Sequence, residues 1–179
     1  EYYFHDGGSP SSDPQFVHTT TTTLDYSGFG KASLVFENTG EDLERKRQSL
    51  REIENKVSSG VPIVSHSHLL LASQREEAIE DPSRFVAVHF SMPIDMTSLV
   101  EVIPGDHTSM EVLRDTLMLL RHVGKTPLVV KDTPGFLLHR LLIPFLCEAM
   151  MLLEEGIEIQ RIDNNFKKFG MKCGPFALI

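Results

Sequence analysis

The stretch RFVAVHFSMPIDMTSLVEVIPG, residues 84–105, contains two short apolar runs that predict neighbouring β-strands. The run from Arg84 to Phe90 carries His89 near its end, and the run from Ser98 to Ile103 carries Glu101. The two side chains can meet across a parallel or mixed sheet. An imidazole held by a carboxylate can act as a general base near neutral pH. The pattern therefore predicts a histidine–carboxylate pair, and a buried histidine with a purely structural partner fits the same spacing.

Strands and helices alternate along the chain on both sides of this stretch. Apolar residues at helical spacing predict helices over residues 40–59 and 109–124, with a short helix near 74–79. Further apolar runs predict strands at residues 31–37, 61–65 and 125–132. Regular alternation of this kind indicates a parallel α/β half of the chain.

After residue 133 the predicted elements change from alternating strands and helices to helices only. The sequence PGFLLHRLLIPFLCEAMMLLEEG predicts one long apolar helix, with Pro134 near its first turn and Gly156 just after its end. A second helix is predicted from Ile159 to Phe169. We therefore expect an all-helical half to follow the α/β half.

The composition is that of an ordinary globular protein, with 41% hydrophobic and 23% charged residues in 179. A net charge of −8 favours neither nucleic acid nor an anionic membrane as a partner. The two cysteines, Cys147 and Cys173, offer no disulfide framework, which favours a reducing compartment. We expect no membrane span, because the longest apolar tract is interrupted by His139, Arg140, Pro144 and Glu148.

Residues 1–23 contain GGSPSSDP and a run of threonines, and this composition predicts a loop or extended arm. The chain begins with Glu1 rather than Met, and no secretory signal peptide is visible there. Such a start is expected of a processed chain or of a piece of a longer one.

Seven stretches occur in the order and at the spacing of one enzyme family: LDYSGF, LVFENTGEDLERKR, HFSMP, SLVEVIPGDHTS, GKTPLVVKDTPGF, EAMMLLEEG and FGMKCGPFALI. Through them the chain resembles the L-3-hydroxyacyl-CoA dehydrogenase family, including the dehydrogenase part of multifunctional fatty-acid oxidation enzymes. The resemblance implies an incomplete Rossmann-type NAD-binding α/β domain over residues 24–132. It also implies an incomplete all-helical C-terminal domain of that family over residues 133–179.

The resemblance assigns roles to matching positions. It implies that His89 takes the proton of a substrate 3-hydroxyl group while a hydride leaves for NAD, and that Glu101 orients His89. Glu41 and Lys46 match positions that contact the nicotinamide side of the cofactor. The alternative for these two residues is capping of a helix N-terminus and a solvated helix face.

Three positions on the substrate side depart from the family pattern. His68 stands where the family has a serine, and Met92 and His139 each replace an asparagine. Methionine cannot replace the hydrogen bonds of an amide. Imidazole and carboxylate are zinc ligands, so a metal held by His68, His89, His139 and Glu101 is one hypothesis, although simple drift of the pocket is the preferred explanation.

The phosphate-binding turn G-x-G-x-x-G of an NAD site does not occur in these 179 residues. We therefore expect the chain alone to bind no NAD and to be inactive. The preferred interpretation is a catalytically degenerate dehydrogenase-like protein that serves as an accessory subunit. It would join a dimer or larger assembly through its C-terminal apolar helix. A mitochondrial location is expected by analogy, with peroxisome and cytoplasm as alternatives. The rival interpretation is a fragment of an active dehydrogenase of fatty-acid β-oxidation.

Overall fold

The computed structural model describes residues 2–4, 20–22, 26–92, 94 and 97–178. The chain divides into two compact units, residues 1–134 and 135–179. The division lies close to the boundary after residue 132 that the sequence predicts. The first unit is an α/β domain, and the second contains helices only in its described part.

The strands of the described residues, all in the first unit, are β1 (Tyr2–Phe4), β2 (Thr20–Thr22), β3 (Val35–Glu37), β4 (Ile63–His66), β5 (Phe85–Phe90), β6 (Leu99–Ile103) and β7 (Thr126–Val129). The α-helices of the same unit are α1 (Leu43–Glu54), α2 (Ala72–Glu76) and α3 (Met110–His122). The second unit contributes α4 (Leu138–Glu154) and α5 (Ile159–Phe169). Short 3-10 turns occupy Phe29–Lys31, Pro82–Arg84 and Pro175–Ala177.

Five strands form one sheet in the order β3-β4-β5-β6-β7. All neighbours are parallel except β5 and β6, which run antiparallel. The predicted α/β half is thus confirmed as a mostly parallel sheet, and the antiparallel β5–β6 pair makes it mixed. The reason is the short connection, residues 91–98, because a parallel crossover needs about a dozen residues or more.

The valines of the central strands form the core on one face of this sheet. Val86 and Val88 of β5 are fully buried with Val100 and Val102 of β6, and they pack with residues of α3. Successive side chains of a strand point to opposite faces. His89 and Glu101 therefore lie on the face opposite to this valine cluster.

The first 23 residues contain two of the strands. β1 and β2 pair in parallel as a separate two-stranded sheet, with Tyr2 opposite Thr20. The loop or extended arm predicted over residues 1–23 thus includes short paired strands. Residues 5–19 of that segment lie outside the described residues.

The long helix of the second unit begins later than the sequence predicts. α4 starts at Leu138, so Pro134 does not lie in its first turn. Gly135 and Phe136 have φ values of 78° and 47°, and such left-handed backbone cannot belong to an α-helix. The predicted second helix is confirmed as α5, which ends at Gly170 with a φ of 114°. None of the helices in the described residues is long and apolar enough to cross a membrane.

Gly174 provides a test of packing in the second unit. A Cβ atom at this position would overlap the backbone and carboxylate of Asp163, which also accepts a hydrogen bond from Phe176 N–H at 3.0 Å. We expect Gly174→Ala to lower the free energy of unfolding by about 1–3 kcal/mol. Thermal unfolding, with amide hydrogen exchange of α5, measures the loss. The matched control is Gly40→Ala, whose methyl group would meet no atom within 4 Å; equal stability of both variants contradicts this packing.

Candidate active site

His89 and Glu101 lie directly opposite each other in the β5–β6 register. His89 Nδ1 is 2.7 Å from Glu101 Oε2, and each residue is only 1% exposed. A carboxylate accepts hydrogen bonds, so the ring proton of neutral His89 resides on Nδ1 and donates to Glu101. The structure thus forms the contact that the sequence predicts, while the catalytic role of the pair stays a prediction.

His68 contacts the other ring nitrogen of His89, Nε2. His68 Nδ1 lies 3.2 Å from His89 Nε2, and the two rings meet edge to face with centroids 5.2 Å apart. The residue that replaces the family's serine therefore touches the dyad directly. Glu101, His89 and His68 form a continuous chain of hydrogen-bonding atoms.

His66 is a third imidazole in this cluster, and the sequence alone does not assign it to the site. Its ring stacks on His89 at 6.3 Å and meets His68 edge-on at 4.8 Å. Burial lowers the pKa of His66 to about 4, and the nearby His68, His89 and Lys46 act in the same direction. His66 is therefore neutral at pH 7. One feature of the sequence does link His66 to His68. The two histidines of HSH are two residues apart, which is the spacing of side chains on one face of a strand.

Glu41 positions the loop that carries His68. Its carboxylate accepts hydrogen bonds from Ser67 Oγ at 2.6 Å and from His68 N–H at 3.0 Å. Burial by itself would raise the pKa of Glu41, but these bonds and nearby Lys46 bring it below the usual value. The alternative of helix capping is wrong for Glu41, because Asp42 caps α1 by accepting from Arg45 N–H at 2.8 Å.

Lys46 is fully buried, so its expected place on a solvated helix face is wrong. Its ammonium group binds Glu37 Oε1 at 3.1 Å and donates to the carbonyl oxygens of Thr39 at 2.7 Å and His66 at 2.6 Å. Burial lowers the pKa of Lys46, and Glu37 opposes that shift. An ammonium group has three donors. These contacts use them, and a cofactor contact of Lys46 stays a prediction.

Arg75 holds the other end of the segment that carries His66 and His68, residues 65–70, which we call the histidine loop. Its buried guanidinium donates to Ser65 O and Oγ, both at 2.8 Å, and to Leu70 O at 3.0 Å. Burial lowers the pKa of Arg75 to about 10, although nearby carboxylates, Glu37 first, oppose the shift. Residues 65–70 are thus held at both ends by hydrogen bonds from the buried Arg75 guanidinium.

The other two altered positions lie on other elements of the chain. Met92 lies in the connection between β5 and β6 and is 68% exposed. Lys125 holds this connection by donating to Thr97 O at 3.0 Å and to Ile94 O. His139 belongs to α4, in the second unit. Among the residues that the structure describes, no group of three or more His, Cys, Asp or Glu side chains is arranged to hold a metal ion. The metal hypothesis thus finds no support there.

The mixed, mostly parallel sheet with its helices defines a Rossmann-like dinucleotide-binding domain, followed by a helical domain. Two family models agree with this architecture. The NAD binding domain of 3-hydroxyacyl-CoA dehydrogenase matches residues 9–133, and the C-terminal domain of the same enzyme matches residues 135–179. The chain belongs to the 3-hydroxyacyl-CoA dehydrogenase family.

Individual relatives support the same assignment. The chain is 38% identical over 157 residues to the fatty acid oxidation complex subunit alpha of Acinetobacter baumannii, covering 88% of this chain and 22% of the relative. The corresponding subunit of Shewanella loihica is 34% identical over 171 residues, covering 96% and 24%. The chain therefore spans less than a quarter of these curated relatives.

A solved structure shares the fold. The (S)-3-hydroxybutyryl-CoA dehydrogenase of Ralstonia eutropha superimposes with a TM-score of 0.85 at 29% identity, covering 90% of this chain and 58% of that enzyme. The relationship thus extends to three-dimensional structure, over part of the enzyme's length.

The buried Lys46–Glu37 pair predicts a large and asymmetric effect on stability. Lys46→Met leaves the Glu37 carboxylate buried without its cation, so we expect the free energy of unfolding to fall by about 3–5 kcal/mol. Adding Glu37→Gln should restore part of the loss, because no unpaired charge stays buried. Urea denaturation measures both variants.

The control for this pair is Arg114→Met, which removes a well-exposed cation that pairs with Asp115. Its cost should stay below about 1 kcal/mol. A Lys46→Met variant as stable as this control contradicts a buried ion pair.

The depressed pKa of His66 predicts a dependence of stability on pH. The unfolded chain binds a proton at His66 near pH 6.5, whereas the folded protein binds it only near pH 4. Between these values the unfolded state holds more protons, so the free energy of unfolding falls as the pH drops from about 6.5 to about 4. Urea denaturation across this range should give a steeper fall for wild type than for His66→Asn. Equal slopes would show that His66 titrates normally in the folded protein.

Proposed function

We propose that this chain carries the acid–base site of a dehydrogenase that acts on 3-hydroxyacyl-CoA thioesters. The His89–Glu101 pair is the acceptor for the proton of the 3-hydroxyl group. The observation that carries this proposal is the 2.7 Å bond between a buried imidazole and a buried carboxylate on two paired strands. Membership of the 3-hydroxyacyl-CoA dehydrogenase family supports the substrate class.

Proton transfer to His89 creates a positive charge that the site must stabilise. A neutral imidazole that gains a proton becomes a cation in surroundings from which water is excluded, where an isolated charge is costly. Glu101 lies at hydrogen-bond distance from His89 and supplies the compensating negative charge. The same bond fixes the tautomer, so a lone pair stays on Nε2. The dyad is therefore arranged to take up one proton and hold it.

The NAD cofactor of the family finds only a partial fit among the described residues. Lys46, one of the two matched positions, has its donors committed to Glu37 and two carbonyl groups. Glu41 supports the histidine loop. The phosphate-binding turn is absent from this sequence. The described residues of this chain therefore account for the proton transfer alone.

A second candidate function is an accessory subunit that descends from this enzyme and has lost its activity. The observation that favours it is the His68 ring, which occupies His89 Nε2 where the family has a small serine. The exposed Met92 in place of an amide acts in the same direction. The expected mitochondrial assembly and its contact through the apolar helix α4 belong to this candidate.

Turnover decides between the two candidates. NADH formation from (S)-3-hydroxybutyryl-CoA is measured for the 179-residue chain and for the natural polypeptide that contains it. We expect the natural polypeptide to turn over, with His89→Gln lowering kcat/KM by about 10²–10⁴-fold because the proton acceptor is lost. The 179-residue chain should form no NADH, since its sequence contains no phosphate-binding turn.

His122→Asn, an exposed change near the end of α3, is the matched control and should leave the rate unchanged. If the natural polypeptide forms no NADH and binds no acyl-CoA thioester, the accessory-subunit candidate replaces the first proposal.

A further inference from the structure

We propose that Glu101, His89 and His68 form a proton relay, and that its outer end, His68 Nε2, is the atom that receives the proton from the substrate. The proposal rests on the proposed function for the identity of the proton donor. The relay itself rests on the geometry of the three side chains, so the two can fail separately.

The tautomers of the two rings follow from one another. Glu101 accepts the proton of His89 Nδ1, so His89 Nε2 carries a lone pair when the ring is neutral. His68 Nδ1 lies 3.2 Å from His89 Nε2. Since His89 Nε2 has only a lone pair to offer, His68 Nδ1–H must be the donor of this hydrogen bond. His68 therefore carries its proton on Nδ1 and presents a lone pair on Nε2. The basic nitrogen of the site is moved outward by one ring.

The outer ring is the less buried of the two. His68 is partly buried, whereas His89 is only 1% exposed. His68 Nε2 makes no hydrogen bond to any residue that the structure describes. The backbone of His68 is held by Glu41, and Ser67 Oγ accepts from Leu70 N–H at 2.8 Å, so the loop is a rigid support. Because His68 Nδ1 contacts His89 Nε2, the relay assigns the contact with the substrate hydroxyl to His68 Nε2.

The neighbouring His66 does not take part in the relay. Its Nδ1 lies 2.9 Å from Asn38 Oδ1, an acceptor, so that nitrogen carries the proton. Its Nε2 is buried without a hydrogen-bond partner among the described residues. Because His66 stays neutral at pH 7, it adds no positive charge beside His89 and His68. The relay among the described residues therefore runs from His68 to His89 to Glu101.

Proton transfer along this path is balanced. The substrate O–H bond breaks and an N–H bond forms at His68 Nε2. The N–H bond at His68 Nδ1 breaks and one forms at His89 Nε2. His68 ends neutral, with its proton on Nε2, and His89 becomes an imidazolium whose Nδ1–H still donates to the Glu101 carboxylate. The positive charge thus comes to rest beside the buried negative charge.

The first test reads the tautomers without any substrate. Long-range ¹H–¹⁵N spectra of the histidine-labelled 179-residue chain, recorded where its histidines are neutral, distinguish a protonated from an unprotonated ring nitrogen. We expect both His89 and His68 to carry the proton on Nδ1. Free imidazole side chains prefer the other tautomer, so exposed His122 serves as the internal reference. A proton on His68 Nε2 in the neutral protein overturns the relay.

The second test separates a relay from a ring that merely fills space. His68→Phe keeps an aromatic ring at this position and removes both nitrogens. We expect it to lower kcat of the natural polypeptide by about 10²-fold or more, with little change in KM, because the outer ring of the relay to His89 is lost while the pocket stays filled. His122→Asn should leave both parameters unchanged.

Full turnover by His68→Phe overturns the relay and leaves the His89–Glu101 proposal intact. If wild type shows no turnover at all, the proposed function fails, and the tautomers of His68 and His89 still decide whether the relay exists. These comparisons require that His68→Phe is folded, which an unchanged circular dichroism spectrum shows. Should it not fold, His68→Gln, which keeps polar atoms but no relay, takes its place with the same expected loss of kcat.

Discussion

The antiparallel register of β5 and β6 is the constraint on which the rest of the site depends. It places His89 opposite Glu101 while Val88 and Val102 pair on the other face, in the core. Because side chains alternate with a period of two, a slip of one residue would move the dyad into the valine core and the valines out of it. The hydrophobic effect that buries the valines therefore also sets the geometry of a polar pair. Packing and chemistry share one register.

A second layer of buried polar residues links this pair to the neighbouring loop. Lys46 and Arg75 donate to carbonyl groups at the end of β4 and just beyond it, His66 O for Lys46 and Leu70 O for Arg75. A buried ion pair contributes little net stability once desolvation is counted. Its clear effect here is positional, because the cations leave the backbone of the histidine loop few alternatives. The placement of His68 against His89 follows from that loop.

Much of this arrangement is readable from the sequence, and the exceptions have physical reasons. The apolar runs predict the central strands, and their polar residues predict the His89–Glu101 contact. The antiparallel direction followed from the length of the connection rather than from the strands themselves. Lys46 lies in the charged run RKR and suggests a solvated face, yet it is spaced four and seven residues before Leu50 and Ile53, which places it on the buried stripe. The contact between His68 and His89 is tertiary and has no local signal.

Two of the altered positions lie on a loop and a connection, whereas the retained dyad lies on strands of the sheet. The dyad lies on two strands of the sheet, where a shift would disturb packing on both faces, and it retains its contact. His68 lies on a loop and Met92 on a connection, where a side chain can change without moving the backbone. The TM-score of 0.85 with the Ralstonia eutropha enzyme therefore describes the scaffold and leaves the chemistry open. What the loop contributes is decided by one ring nitrogen. In the proposed relay the basic atom belongs to His68, whereas a serine at position 68 would leave the lone pair of His89 as the basic atom.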